Sequence, residues 1–315
     1  MCRRMIAGLI LGCAPLGAVF AGDSIVLYPA YVSSGTAALE GRVIAREDTR
    51  APAAEDSSWT NLRRNLGFLI NRERENVPVI VSLADRRWDG TTDEEGYFRI
   101  ELGELSLLEP GWHRINGEIT GSSTETGLLV LSPTNVLGLI SDLDDTILVS
   151  EVNTTRRMLG NSLLRNPLQR QAVLGTATLY RQVAARNPDP GAAPIFYLSA
   201  SPRQLHFSIE TFLNHNDFPP GILITKRVSN DETSEPLFDQ MAYKKVRIEE
   251  ILTRLPHVRF TLFGDDGERD PEIYEEVRRL HPERVDAIWI RRVNPDPGRP
   301  RLADQGDLAT LLSAD

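Results

Sequence analysis

Ile140-Ser141-Asp142-Leu143-Asp144-Asp145-Thr146 is the stretch on which the reading of this chain turns. The apolar run Val136–Ile140 before it has the length and composition of a buried strand. Three carboxylates within four residues therefore stand at a strand end. Like charges so close together repel one another and are costly there unless a cation neutralises them. An acidic solvated turn would account for one or two acids, but not for their place behind a buried strand.

Outward from this point the chain alternates. Helices are expected at Leu168–Ala185, Pro202–Asn214, Tyr243–Arg254 and Pro271–Leu280, and strands at Pro194–Leu198, Gly221–Thr225, Arg259–Phe263 and Val285–Ile290. Such alternation predicts a parallel sheet covered on both faces, with functional loops at the carboxyl ends of its strands. Two further strand ends carry polar groups: Ser199-Ala200-Ser201-Pro202, and Gly264-Asp265-Asp266-Gly267-Glu268-Arg269-Asp270. Lys244 and Lys245 open the helix before the second of these.

Asp-x-Asp-x-Thr, a strand-end Ser, a helix-start Lys and Gly-Asp-x-x-x-x-Asp, in this order, resemble the haloacid dehalogenase superfamily of phosphohydrolases. The resemblance narrows to the actin-patch type of magnesium-dependent phosphatidate phosphatase. It is carried by residues 140–147, Tyr197–Pro202, Phe218-Pro219-Pro220-Gly221, Lys244 with Ile248, Gly264-Asp265 with Asp270–Tyr274, and Ile288–Arg291. Gly41-Arg42-Val43, Trp59-x-Asn61-Leu62-Arg63-Arg64 and the Thr92–Phe98 turn extend it over most of the chain. Tyr243, Asp266 and Glu268 depart from the family pattern, where His, Ser and Gln are expected.

The resemblance implies roles. Asp142 would attack phosphorus, and Asp144 would act as general acid and then base. Mg²⁺ would be held by Asp142, the Asp144 carbonyl and Asp265, with Asp270 or Asp266 completing the shell. Ser199 would bind a phosphoryl oxygen and Lys244 would offset charge, with Lys245 as its substitute. Thr146, Ser201 and Arg203 are candidates for substrate binding, the last two at a helix start suited to anions. A serine cap followed by Pro202 would account for that helix start equally well.

The two gaps, Asp142 to Ser199 and Ser199 to Lys244, hold helices and strands but no independent cap domain. An uncapped site suits a bulky or interfacial phosphate. The fold expected is thus α/β, a haloacid dehalogenase-like Rossmannoid parallel sheet over 134–315 without a large cap. A β-sandwich over 22–133 precedes it, read from short β-branched and aromatic runs at residues 25–28, 39–44, 77–83, 97–102 and 127–131. Ser58–Arg72 breaks that pattern, with Leu62, Leu66 and Leu69 at helical spacing beside Arg63, Arg64 and Arg72. It reads either as a helix closing an end of the sandwich or as a basic amphipathic helix for a lipid surface.

Composition sets the outer limits. Among 315 residues, 41% are hydrophobic and 25% charged, as in a globular chain. A net charge of −9 argues against a nucleic-acid partner. Two cysteines and five histidines without paired spacing disfavour a zinc site. Arg3-Arg4 followed by the apolar Met5–Ala21 predicts an export signal over 1–21, cleaved before Gly22. A lipoprotein signal on Cys13 is the weaker variant, because Ala14–Ala21 stays apolar behind it. The expectation is an exported Mg²⁺-dependent phosphatase of phosphatidate. Its rivals are a phosphatase of a soluble or protein phosphomonoester and a non-catalytic scaffold working through the sandwich.

Overall fold

The computed structural model describes residues 22–45, 74–148, 167–227, 240–293 and 301–313. The segments Met1–Ala21 and Ser58–Arg72, singled out above, lie outside the described residues.

The N-terminal part forms two sheets. Strands β1 (Asp23–Leu27), β3 (Thr36–Ala45) and β6 (Tyr97–Glu104) pair antiparallel in the order β1-β3-β6. The second sheet runs β2-β8-β7-β4-β5, from β2 (Ala30–Val32), β8 (Ser122–Val130), β7 (Gly111–Ile119), β4 (Pro78–Leu83) and β5 (Arg86–Thr91). Its pairs are antiparallel except β2 with β8. The two sheets share one core, in which Leu39, Val43, Phe98 and Leu102 of the first meet Val79, Val81, Ile115 and Leu128 of the second. Strands β5 and β7 escape the sequence pattern. β5 is Arg-Arg-Trp-Asp-Gly-Thr on a sheet edge with no fully buried residue, and β7 buries Ile115, Gly117 and Ile119 only.

The second half is a parallel sheet of six strands in the order β11-β10-β9-β12-β13-β14. Its members are β9 (Leu137–Asp142), β10 (Ile195–Pro202), β11 (Ile222–Lys226), β12 (Arg259–Asp265), β13 (Val285–Arg291) and the short β14 (Gly306–Asp307). Helices α1 (Thr176–Ala185), α2 (His206–His215), α3 (Gln240–Arg254), α4 (Asp270–Leu280) and α5 (Leu308–Leu312) accompany it. Alternate residues of each strand enter opposite cores, because side chains change face at every step. Ile140, Phe196, Leu198, Phe260 and Leu262 pack with α3 and α4, while Leu139, Ile195, Tyr197 and Phe263 pack with α1 and α2. Both faces being covered, these strands read as continuous apolar runs.

Two helices begin later than the sequence suggests. The expected Leu168–Ala185 helix is a 3₁₀ turn at Pro167–Gln169, then α1 from Thr176. Gly175 separates them at φ 86°, a left-handed conformation that glycine takes without steric cost. The expected Pro202–Asn214 helix starts only at His206, since β10 runs on to Pro202 and Arg203–Leu205 is a 3₁₀ turn.

The two halves are tied together. Tyr31 of β2 joins the core beneath α3, its ring edge-on to Phe196 at 5.2 Å, and the Arg254 guanidinium stacks on it at 4.2 Å. Arg203 pairs with Glu40 of β3 at 2.6 Å, and Arg227 with Asp93 at 2.8 Å.

Candidate active site

Strand β9 sits mid-sheet, with the chain passing to β10 on one side and to β12 on the other. That is a switch point, where diverging loops leave a crevice at the carboxyl ends. Register brings the strand ends level: Leu198 pairs with Asp142, and Phe263 with Ser141. Asp142, Ser199 and Asp265 are thereby adjacent, although far apart in sequence. All three are buried.

Lys244 occupies the centre. From the first turns of α3 its Nζ reaches Asp142 Oδ1 at 2.7 Å, Asp270 Oδ1 at 2.7 Å and Glu268 Oε2 at 2.9 Å. Burial pulls this ammonium down, but Asp142, Asp270 and Glu268 outweigh it and hold Lys244 well above its ordinary range. Lys245, one residue on, faces away to Glu276 at 2.6 Å.

The carboxylates outnumber the ammonium. Burial above all raises Asp142 well above the usual range, with Asp270, Asp265 and Glu268 adding and Lys244 opposing. Asp265 is pushed up to about 8, by burial first and Asp270 next. Asp270 rises for the same leading cause against the pull of Lys244. Thr146 Oγ1 stands between Asp142 Oδ2 at 3.2 Å and Asp265 Oδ2 at 3.3 Å, able to donate to either. Its place is a buried brace between these carboxylates. Asp265 Oδ1 accepts from the backbone N–H groups of Gly267 at 2.7 Å and Glu268 at 3.3 Å. Ligand oxygens of Asp142, Glu268 and Asp270 lie within 4.8 Å of one another. Those three side chains already hold Lys244 Nζ, but Asp265 adds a fourth carboxylate against that one ammonium, and an oxygen-only set with more acids than cations fits a hard divalent cation such as Mg²⁺.

Asp144 lies to one side of this cluster. Ser199 Oγ donates to Asp144 Oδ2 at 3.2 Å and accepts from Ser201 N at 3.0 Å. Burial first and Glu268 second raise the Asp144 carboxyl, against Arg170, Lys244 and the Ser199 hydrogen bond. A raised carboxyl beside a hydroxyl can carry a proton to a leaving oxygen. Asp145 next to it takes φ 58°, and Arg291 Nη1 donates to its carbonyl at 2.5 Å.

Two expected participants are turned elsewhere. Asp266 Oδ1 accepts from Val293 N at 2.7 Å and its other oxygen is 3.8 Å from Arg292, because consecutive residues leaving a strand face opposite ways. Arg203 does not open a helical anion site. It precedes α2 in the 3₁₀ turn, and its guanidinium is paired with Glu40 and stacked on Tyr28 at 5.2 Å. Glu268 is the reverse case. Not among the site residues expected from the sequence, it reaches Lys244, and its sequence signals were its place in an acidic loop and at a position where the family pattern has Gln.

A close approach sets the separation of these acids. A Cβ on Gly264 would lie 2.6 Å from the Tyr274 ring and 2.7 Å from Asp270 Cβ. Tyr274 OH donates to the Phe263 carbonyl at 2.9 Å, holding α4 on β12. Gly264→Ala is therefore expected to displace α4 and Asp270, costing about 1–3 kcal/mol by overpacking. Denaturant unfolding of both proteins measures it, and an unchanged midpoint would refute the close fit.

Comparison with known proteins follows the same residues. Residues 137–292 match the family described as phosphatidate phosphatase APP1, catalytic domain. The Saccharomyces cerevisiae protein named phosphatidate phosphatase APP1 is 30% identical over 241 residues, 71% of this chain and 39% of that one. An uncharacterized Schizosaccharomyces pombe protein is 30% identical over 258 residues, 77% of this chain and 41% of its own. The chain thus spans about two fifths of the length of these relatives. Among solved structures, a carbohydrate acetylesterase from Xanthomonas citri aligns with 87% of this chain and 69% of its own at 8% identity. Its TM-score of 0.32 is too low to bear on the fold. With the catalytic-domain match running from the first residue of β9 to just beyond β13, and with both fungal sequences aligned over most of its length, this chain belongs to the APP1-type phosphatidate phosphatase family.

Proposed function

We propose that the chain is a Mg²⁺-dependent phosphatase that hydrolyses phosphatidate to diacylglycerol and phosphate. The catalytic unit is read as haloacid dehalogenase-like over 134–315, and the two-sheet unit over 22–133 as a β-sandwich. The observation that carries this reading is the juxtaposition of Asp142, Lys244 and the Asp144–Ser199 pair at one strand end, inside the family match.

The steps follow from these groups. An Asp142 carboxylate oxygen bonds to phosphorus while the bond from phosphorus to the glycerol oxygen breaks. The Asp144 proton goes to that departing oxygen. Asp144, now a carboxylate, takes a proton from water as the water oxygen attacks phosphorus, and the bond to Asp142 breaks. Ser199 offers its hydroxyl to a phosphoryl oxygen, and Lys244 holds Asp142 oriented and offsets charge. Asp142, Asp265 and the Asp144 carbonyl would hold Mg²⁺, with Glu268 or Asp270 beside them. When bound, the ion supplies charge neutralisation and polarises the phosphoryl group.

Asp142→Asn, nearly isosteric but no nucleophile, is expected to lower phosphatidate turnover in mixed micelles by about 10³-fold or more with its unfolding midpoint kept. Near-wild-type turnover would refute the covalent step. Activity confined to soluble phosphomonoesters would refute the lipid.

The Ser58–Arg72 segment supports contact with an anionic bilayer on its sequence alone, each arginine contributing on the order of 1 kcal/mol. Replacing Arg63 and Arg64 by Glu should weaken vesicle binding and slow vesicle-borne turnover while sparing a soluble phosphoester. Equal losses on both would assign the segment to the fold. Export is read from residues 1–21, and the intact mass of the exported protein should correspond to a start near Gly22. An acylated Cys13 would replace that reading.

A further inference from the structure

Arg291 ends β13, two strands away from the one that carries Asp142. At the spacing of neighbouring strands that is about 10 Å, so reaching from one strand end to the other takes a long side chain. Register sets Arg291 level with Asp265 on the intervening strand. Ile290 before it enters the core shared with α3 and α4, so alternation turns Arg291 to the opposite face, that of α1 and α2. Leu143, Ile147 and Leu148 are buried in the core of that same face. The guanidinium therefore meets the turn that follows Asp142.

There it donates to main-chain carbonyls. Nη1 reaches the carbonyl of Asp145 at 2.5 Å and that of Leu148 at 3.2 Å, with one N–H for each. Among the described residues Arg291 makes no ion pair, and these two carbonyls are its side-chain partners. The turn is folded back on itself. The N–H groups of Ile147 and Leu148 both meet the Leu143 carbonyl at 3.2 Å, and Val173 N–H returns to the Ile147 carbonyl at 2.8 Å. Asp145, at φ 58°, is left-handed. That conformation is costly for a residue with a Cβ and persists only where its surroundings hold it. The same torsion joins the Asp144 carbonyl to the Asp145 carbonyl, so a hold on the second fixes the main chain of Asp144. From the other side the Asp144 carboxyl is met by Ser199 at 3.2 Å.

We propose that Arg291 is a positioning residue for Asp144. By holding the Asp145 and Leu148 carbonyls it keeps the turn in the conformation that presents the Asp144 carboxyl to Ser199. The inference rests on the phosphatase reading, in which Asp144 moves the proton. The guanidinium touches neither Asp142 nor Ser199, so it acts through geometry.

The test is Arg291→Ala in the full-length protein, assayed on phosphatidate in mixed micelles or on whichever phosphomonoester the wild type hydrolyses. A small displacement of a proton-transferring group slows its step without weakening substrate binding. The variant should therefore lose about 10- to 100-fold in kcat with KM roughly unchanged. In an Asp144→Asn background the same change should lower kcat by about twofold or less, because no proton-carrying group is left to position. Amide hydrogen exchange reads the turn without turnover. The N–H groups of Ile147, Leu148 and Val173 should exchange about tenfold faster in Arg291→Ala, while those of β12 keep their protection. Arg291→Lys, which keeps a cationic donor on a long stem, should lose less, and the same comparisons apply to it if the alanine protein does not fold. Equal losses in both backgrounds would overturn the proposal, as would unchanged kcat or unchanged exchange at Ile147 and Leu148 in the folded variant. Faster exchange throughout β12 would make Arg291 a brace of the whole sheet and overturn it too. Wild-type kcat in Asp144→Asn alone would refute the acid assigned to Asp144, a failure of the phosphatase reading that the exchange data distinguish from a failure of the brace.

Discussion

Four carboxylates, Asp142, Asp265, Glu268 and Asp270, gather around one buried ammonium, that of Lys244. Taking charges out of water is costly, and only close, well-directed partners repay it. Lys244 has three such partners within 2.9 Å. Burial first, and the neighbouring acids after it, nevertheless make Asp142, Asp265 and Asp270 all resist ionisation. This strain is what makes the place suited to a cation and to phosphoryl oxygens. The surrounding fold has to hold like charges together against their repulsion.

It does so by covalent and packing constraints, not by the charges themselves. Asp142 and Asp265 are fixed by their strands, whose register comes from continuous apolar faces on both sides of the sheet. Asp270 is set by the start of α4, where the helix dipole favours a carboxylate. Gly264 and the Tyr274–Phe263 hydrogen bond draw that helix tight against β12. Lys244 depends on α3, whose Leu252 carbonyl, together with those of Leu255 and Val258 beyond its end, accepts from Arg284. Each contributor is rigid for a separate reason, so the site is organised before any ligand arrives.

The N-terminal sheets are part of this arrangement. Tyr31 lies in the same core as α3, and the Arg203–Glu40 pair ties down the turn between Ser199 and α2. The same contacts border a cavity beside β11 that His206 lines. One junction thus steadies the end of β10.

The alternating half was legible in the sequence, and so was the place in it of the candidate site residues. Continuous apolar runs and strand-end polar residues are local signals, and they placed Asp142, Asp144, Ser199 and Asp265 at strand ends and Lys244 and Asp270 at helix starts. The shortest signals were lost first, as in the polar edge strand β5 and the thinly buried β7, where few residues meet a core. Orientation came from the assembled fold alone. The side chains of Asp266 and Glu268 lie in one acidic loop, yet one turns to Val293 and Arg292 and the other to Lys244. Arg203 looked like a ligand of the substrate phosphate until a strand 163 residues earlier in the chain supplied Glu40 as its partner. Such choices depend on which distant groups arrive at a given point, and no local pattern records that.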